Sequence, residues 1–428
     1  MIRNEPRSEE PFVEWARREW LLVLITVGIG IDWLPFMLTG LLPQLAPLSG
    51  TRFIVLPGLA LAFLRRPSRL SRPPVIAFAY VATILIGGGL GWLAGTVSTG
   101  RLATVVVNGF ILVYYLQVRS LTSILRVLQI TFVLSIGVPI IQCLAALDII
   151  TEAWLLSIGA PPGGGRIFSI FDTTTPGFIP LMIPACLGGL IFVRGRTRLA
   201  TVNALPAAAL VAFGVTSALV AQQRSGVLAY AASLFTAVLL YVRLDRKRLL
   251  ALLIGLGLVG VLGADLARRV YTPATERFSN AAAFRDAKDL RLRGFLTFLS
   301  DFAENPLNPV PIGQDSLLDR TGVAPHLLVS EAYYTGGPLF LAVILVLLFK
   351  FGTASVRLAW SSDADARTIG SCLCAFGAGS AIEIMLQTSL GLRIVPLILG
   401  VAIAGGRSLR ASAGVVPVMP VSQEAEAR

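Results

Sequence analysis

A single histidine, His326, stands in the stretch TGVAPHLLVSEAYYTGGPLF (321–340), just ahead of a long apolar run. Imidazole is the side chain whose ordinary pKa lies nearest neutrality, so it can accept and return a proton under physiological conditions. A histidine at a membrane interface can equally cap a helix or touch headgroups, and the residue alone leaves both roles open. Three arginines carry the other chemistry. Arg291 sits in AAAFRDAKDLRLRGFLTFLSDFAE (281–304), where Phe284, Arg291, Phe295, Phe298 and Phe302 recur at helical spacing and so share one face. Arg293 points about 200° away from Arg291 on such a helix. An arginine on an apolar face needs an anion, either a nearby carboxylate such as Asp286 or Asp301 or a ligand. Arg224, in AQQRSG, lies between two apolar runs, where a charge is costly and wants a partner. A helix starting there would add its positive end to an anion site; snorkelling to a lipid phosphate is the alternative. Arg166 closes the glycine-rich stretch PPGGGR, which would let backbone approach a ligand. Guanidinium groups hold diphosphate through paired hydrogen bonds. Three of them at one membrane surface would suit a diphosphate bearing an apolar tail.

The elements that must position these residues are read from hydropathy. Of the 428 residues, 55% are hydrophobic and only 14% charged, with a mean hydropathy of +0.77. A water-soluble domain could not bury that much apolar surface, so the chain reads as an all-α polytopic membrane protein. Spans are expected near 20–42, 51–64, 74–95, 102–118, 126–146, 176–193, 199–219, 225–242, 249–265, 335–350, 367–386 and 391–406, about twelve transmembrane helices in all. Arginines test the count. Alternate loops carry RRPSRLSR (65–72), RSLTSILR (119–126), RGRTR (194–198), RLDRKR (243–248), KFGTASVR (350–357) and GRSLR (406–410), while the opposite short loops carry only Arg52, Arg101, Arg166, Arg224 and Arg393. The positive-inside rule then places both termini and the basic loops in the cytoplasm.

Three regions follow: a cytoplasmic segment 1–19, a membrane domain 20–410, and a cytoplasmic tail 411–428 expected to be disordered. The large outward connection of about 266–334, between the ninth and tenth helices, is where function is sought, because long connections with their own pattern are usually functional. The net charge of +12 is topology signal and headgroup contact, so no nucleic-acid partner is expected. Cys143, Cys186, Cys372 and Cys374 all fall in apolar runs and read as small hydrophobes. One histidine and no acidic cluster offer no metal-ligand set. The acidic pair in DAD (363–365) falls on the cytoplasmic side, and Asp32 and Glu383, inside spans, read as structural partners for Arg393 or another arginine.

Taken in order, these residues resemble the O-antigen ligase and polymerase superfamily of bacterial membrane glycan transferases. In that family's large outward loop an arginine is followed at +4 by an aromatic residue. An Asn-Pro element comes about eleven residues later, then glycines, and then a histidine that leads into the next span. Arg291, Phe295, Asn305-Pro306 and His326 follow that order, and Gly337 stands eleven residues after the histidine, at the glycine that opens the family's next helix. QQRSG is similar to its Ser-Arg-Gly element with Gln223 for serine, and GRIFSIFDTTTPG is loosely similar to its Arg…Gly-x-Phe-x-Asn-Pro element. Leu327, Phe340 and the prolines of NPLNPVPIG depart from the pattern.

The resemblance implies transfer of a glycan from an undecaprenyl-diphosphate donor to a hydroxyl of an acceptor glycan or lipid A core. The reaction would run at the periplasmic face of the inner membrane, without cofactor or metal, in O-antigen, lipopolysaccharide or exopolysaccharide synthesis. Arg224 and Arg291, with Arg166 as a third, would stabilise the departing diphosphate. His326 would serve as base, and Glu331, five residues on, would orient it or act as the base itself. Leu327 breaks the ligase-type histidine dipeptide and tilts the reading toward a polymerase. A twelve-helix secondary transporter is the competing class; it predicts a long cytoplasmic loop between the sixth and seventh spans, or related halves with broken helices.

Overall fold

A computed structural model describes residues 11–31, 54–65, 74–135, 224–244, 281–322, 327–386 and 393–414, together with the single positions 149, 250 and 254. The expected spans 176–193 and 199–219, nearly all of 249–265, the tail beyond 414, and Asp32, Cys143, Cys186, Arg166 and His326 lie outside the described residues. Those described are helical or sit in turns between helices.

The helices run in chain order as α1 (Phe12–Arg18), α2 (Trp20–Gly30), α3 (Leu56–Arg65), α4 (Val75–Leu93), α5 (Thr99–Tyr115), α6 (Leu121–Ser135), α7 (Arg224–Leu244), α8 (Ala281–Glu304), α9 (Gln314–Thr321), α10 (Leu328–Ala359), α11 (Ala364–Leu386) and α12 (Ile394–Gly414). Two of them, α4 with mean hydropathy 1.8 and α10 with 2.3, are long and apolar enough to cross a membrane. Expected spans and observed helices agree within a few residues from 51 to 118 and from 225 to 242. The stretch 281–304, read as an amphipathic helix, is α8.

Helix α10 is the centre of the packing, against α4, α11 and α12. It differs from the expected 335–350 span by starting a full two turns earlier and by breaking inside. Gly337 has φ 75° and ψ −174° and is followed by Pro338. Positive φ is a glycine conformation, and proline, lacking an N–H and holding φ near −65°, suits the first position of a helix. The break thus divides α10 into Leu328–Gly336 and Pro338–Ala359, and the second part still exceeds the roughly 20 residues a bilayer crossing needs.

Close backbone approach shapes the rest. A Cβ on Gly370 of α11 would overlap the backbone of Leu358 and Ala359 in α10, and one on Gly87 would overlap the carbonyl of Gly336. Gly87 belongs to a single π turn, Ile84–Gly88, inside α4, the kind of bulge that lets a helix re-aim locally. Near the amino terminus, Trp15 is fully buried and donates from Nε1 to Ser123 Oγ at 3.1 Å, which seats α1 across α6.

Candidate functional site

The first segment of α10, Leu328–Gly336, gathers a cluster of polar contacts. Helix α8 reaches it through Phe298, whose ring lies 5.7 Å from that of Tyr333 and 6.3 Å from that of Tyr334. The turn after α8 then folds over the same segment. Tyr333 donates its hydroxyl to the carbonyls of Asp301 at 3.2 Å and Asn305 at 3.1 Å, so the Asn-Pro element is tied to α10 through Asn305. Carbonyls of Asn308 and Pro309 pass beside Gly337. Gln314 Nε2 donates to Thr335 Oγ1 at 3.0 Å, and Thr96 Oγ1 donates to the Pro311 carbonyl at 2.8 Å. The loop therefore binds both the break in α10 and the end of α4.

Two charged pairs hold this assembly. Asp301, buried on α8, accepts from Arg320 of α9 through both oxygens, at 2.8 and 2.5 Å, and from the Tyr334 hydroxyl. Burial pushes the Asp301 carboxyl up, but the hydrogen bonds from Arg320 and Tyr334 outweigh it and hold the group below its ordinary value. Asp301, one of the two acids considered for Arg291 from the sequence, is paired with Arg320. The second pair joins Glu331, fully buried on α10, to Arg101 in the first turn of α5. Ser98 caps α5 by accepting from the Arg101 amide at 3.3 Å, which fixes where the arginine leaves the helix.

Of the residues singled out from sequence, the structure brings Glu331, Gly337 and Asn305 into one neighbourhood. Phe295 is half-buried on α8, on the side of Phe298, whereas Phe302 is more open and meets Tyr333 edge to face at 5.7 Å. Arg291 lies on α8 and Arg224 opens α7. His326 and Arg166 fall outside the described residues. Phe340, at the family's second glycine position, is buried with its ring 5.0 Å from Tyr80 and nearly perpendicular to it. Among the described residues, no three of His, Cys, Asp and Glu come together as metal ligands would.

Sequence reasoning passed over Arg101, Arg320 and Tyr334. Arg101 entered only as one charge in a short loop. Its signal was the solitary arginine ahead of an apolar helix, with an acid inside another apolar stretch. No known family model matches the chain, and no curated protein matches it as a relative.

Proposed function

We propose that the chain is a glycan transferase of the bacterial inner membrane, with twelve spans, cytoplasmic termini and a working face in the periplasm. Its donor is an undecaprenyl-diphosphate-linked glycan, its acceptor a hydroxyl of a growing glycan or lipid A core, and polymerisation is favoured over ligation. The observation that carries this reading is the fold of the loop: the segment bearing Arg291, Phe295 and Asn305 packs directly on the helix that begins just after His326 and breaks at Gly337. Motif elements separated along the chain thus share one region, as a site would require.

In the step so assigned, the acceptor oxygen forms a bond to the anomeric carbon while the bond from that carbon to the diphosphate oxygen breaks. The electron pair leaves with the diphosphate, where Arg224 and Arg291, with Arg166, meet the developing charge. The hydroxyl proton passes to His326. Glu331 is engaged by Arg101, so it fits a positioning role better than that of the base.

His326→Ala should abolish glycan transfer while the protein remains in the membrane, and Arg291→Ala should cost far more activity than Arg293→Ala. Normal product from a well-expressed His326→Ala protein would overturn the assignment. In a deletion strain, single repeat units indicate a polymerase, whereas long chains left on the carrier indicate a ligase. One observation favours a second reading, a secondary transporter: the discontinuous helix α10, with a buried ion pair beside the break, is a device transporters use. Purified protein that elongates lipid-linked glycan in detergent, where no gradient exists, rules that reading out.

A further inference from the structure

Away from α10, a cavity of about 110 Å³ opens where the start of α2 meets the end of α3, lined by Arg18, Glu19, Trp20, Leu22, Ala62 and Arg65 among others. The two helices run antiparallel: a Cβ on Gly28 would meet Val55 and one on Gly58 would meet Ile25, which brings Trp20 level with Arg65. The Arg65 guanidinium lies over the indole of Trp20, 4.9 Å from its centroid. Stacking engages the face of a guanidinium and leaves its in-plane N–H donors for an acceptor such as phosphate. Glu19 brings the opposite charge. As the N-cap of α2 it makes no side-chain cap hydrogen bond, and its Oε1 stands 3.7 Å from Arg18 Nε, beyond hydrogen-bond reach. Two guanidinium groups and one carboxylate thus share one small cavity. Beside the charges the surface is apolar, with Leu22 and Ala62 in the wall and Leu24 and Leu64 exposed on the same two helices.

We infer that this cavity binds the headgroup of a phospholipid that carries a primary amine, as phosphatidylethanolamine does. The phosphate accepts from Arg65 and Arg18, the ammonium donates to Glu19, and the acyl chains run along α2 and α3 over Leu24 and Leu64. A basic pocket between helices at the membrane surface suits a lipid phosphate, and the carboxylate decides which lipid. Phosphatidylglycerol offers Glu19 no cation, and phosphatidylcholine offers a cation without an N–H donor. Only the ethanolamine headgroup meets all three charges with hydrogen bonds of the right polarity. The inference rests on the membrane part of the proposed reading, and glycan transfer has no part in it.

Protein reconstituted in nanodiscs of equal parts phosphatidylethanolamine, phosphatidylglycerol and phosphatidylcholine, then released for native mass spectrometry, provides the test. One phosphatidylethanolamine should stay bound per chain, retained about tenfold over phosphatidylcholine, as one charge-assisted hydrogen bond gives. Glu19→Gln should erase that preference while a phospholipid stays bound, and Arg65→Gln should lower retention of all three. Neither side chain is buried, so both variants should melt near the parent temperature. Soluble phosphoethanolamine should not displace the lipid, because it lacks the chains that lie on the leucines; displacement would assign the cavity to a free phosphomonoester and overturn the lipid as its occupant. Retention of phosphatidylglycerol above phosphatidylethanolamine, or a preference unchanged in Glu19→Gln, overturns the inference. Protein that fails to enter the discs refutes the membrane reading and this inference together, whereas equal retention of the three lipids within them refutes this inference alone.

Discussion

The two segments of α10 are held by different contacts. From Leu328 to Gly336 the helix is fixed by directional polar contacts: Glu331 with Arg101, Tyr334 with Asp301, Tyr333 with Asn305, and Thr335 with Gln314. From Pro338 to Ala359 it is fixed by close packing, with Gly370 of α11 against its backbone and Gly406 of α12 against Ala354. Polar contacts specify one position and orientation, whereas small-residue packing in an apolar medium supplies adhesion through dispersion. The buried charges thus lie before the break at Gly337, where side chains are aimed, while glycine packing holds both segments, through Gly87 against Gly336 before it and Gly370 and Gly406 after it.

The sharpest way to break the contrast is to remove one partner of the Glu331–Arg101 pair. Glu331→Gln leaves a largely buried guanidinium uncompensated, a loss of roughly 3–5 kcal/mol for a buried pair. A fall in melting temperature, and in the proposed glycan transfer, is expected, with partial recovery when Arg101→Gln is added. If the double variant is no better than the single, the pair is not what holds the segment. On the other side of the break, Gly370→Ala should cost about 1–3 kcal/mol by overpacking, read as a lower melting temperature. Gly352→Ala, on α10 and facing open space, should be neutral or slightly stabilising. Equal effects of the two glycine variants would refute the close-packing account of the segment Pro338–Ala359.

Much of this was legible in the sequence, for physical reasons. The period of Phe295, Phe298 and Phe302 marks α8 because one helical face must meet apolar neighbours, and Phe298 is indeed buried. The apolar run after Pro338 marks the long segment of α10 by length alone. The first turns of α10 were not legible. Ser330 and Glu331 look like loop residues by local pattern, and only a partner more than two hundred positions away in sequence makes them fit a buried helix. Arg320 was missed for the same reason: its partner Asp301 sits on another helix, and single-sequence periodicity carries no information on such pairings.

Tyr334→Phe tests the first segment of α10 more gently. It removes one hydrogen bond to Asp301 while Arg320 keeps the carboxylate paired, so about 1.5 kcal/mol of stability should be lost, in keeping with a bond to a charged acceptor. Tyr333→Phe, which gives up bonds to neutral carbonyls, should cost no more than that. A larger loss at Tyr333 would mean that the Asn305 turn, rather than the charged pair, fastens α8 to α10.

The smallest effect is a pH dependence from Asp301. Its carboxyl titrates below the ordinary value of 3.8 in the folded protein, against burial, because Arg320 and Tyr334 donate to the charged form. A depressed acid contributes stability that is complete above its unfolded pKa and disappears as pH falls through the folded one. Arg320, raised by the same hydrogen bond, stays charged throughout. The melting temperature should therefore be insensitive to this pair from pH 7 to 5 and should begin to fall only below about pH 4, the ordinary range of aspartate. Arg320 is 42% exposed, so solvent screens the pair and its contribution should be at most about 1 kcal/mol. Asp301→Asn should remove that acid limb and leave the melting curves above pH 5 parallel to those of the parent. An acid limb of unchanged size in Asp301→Asn would assign the effect to another carboxylate, with Asp301 serving the first segment of α10 only as a hydrogen-bond acceptor.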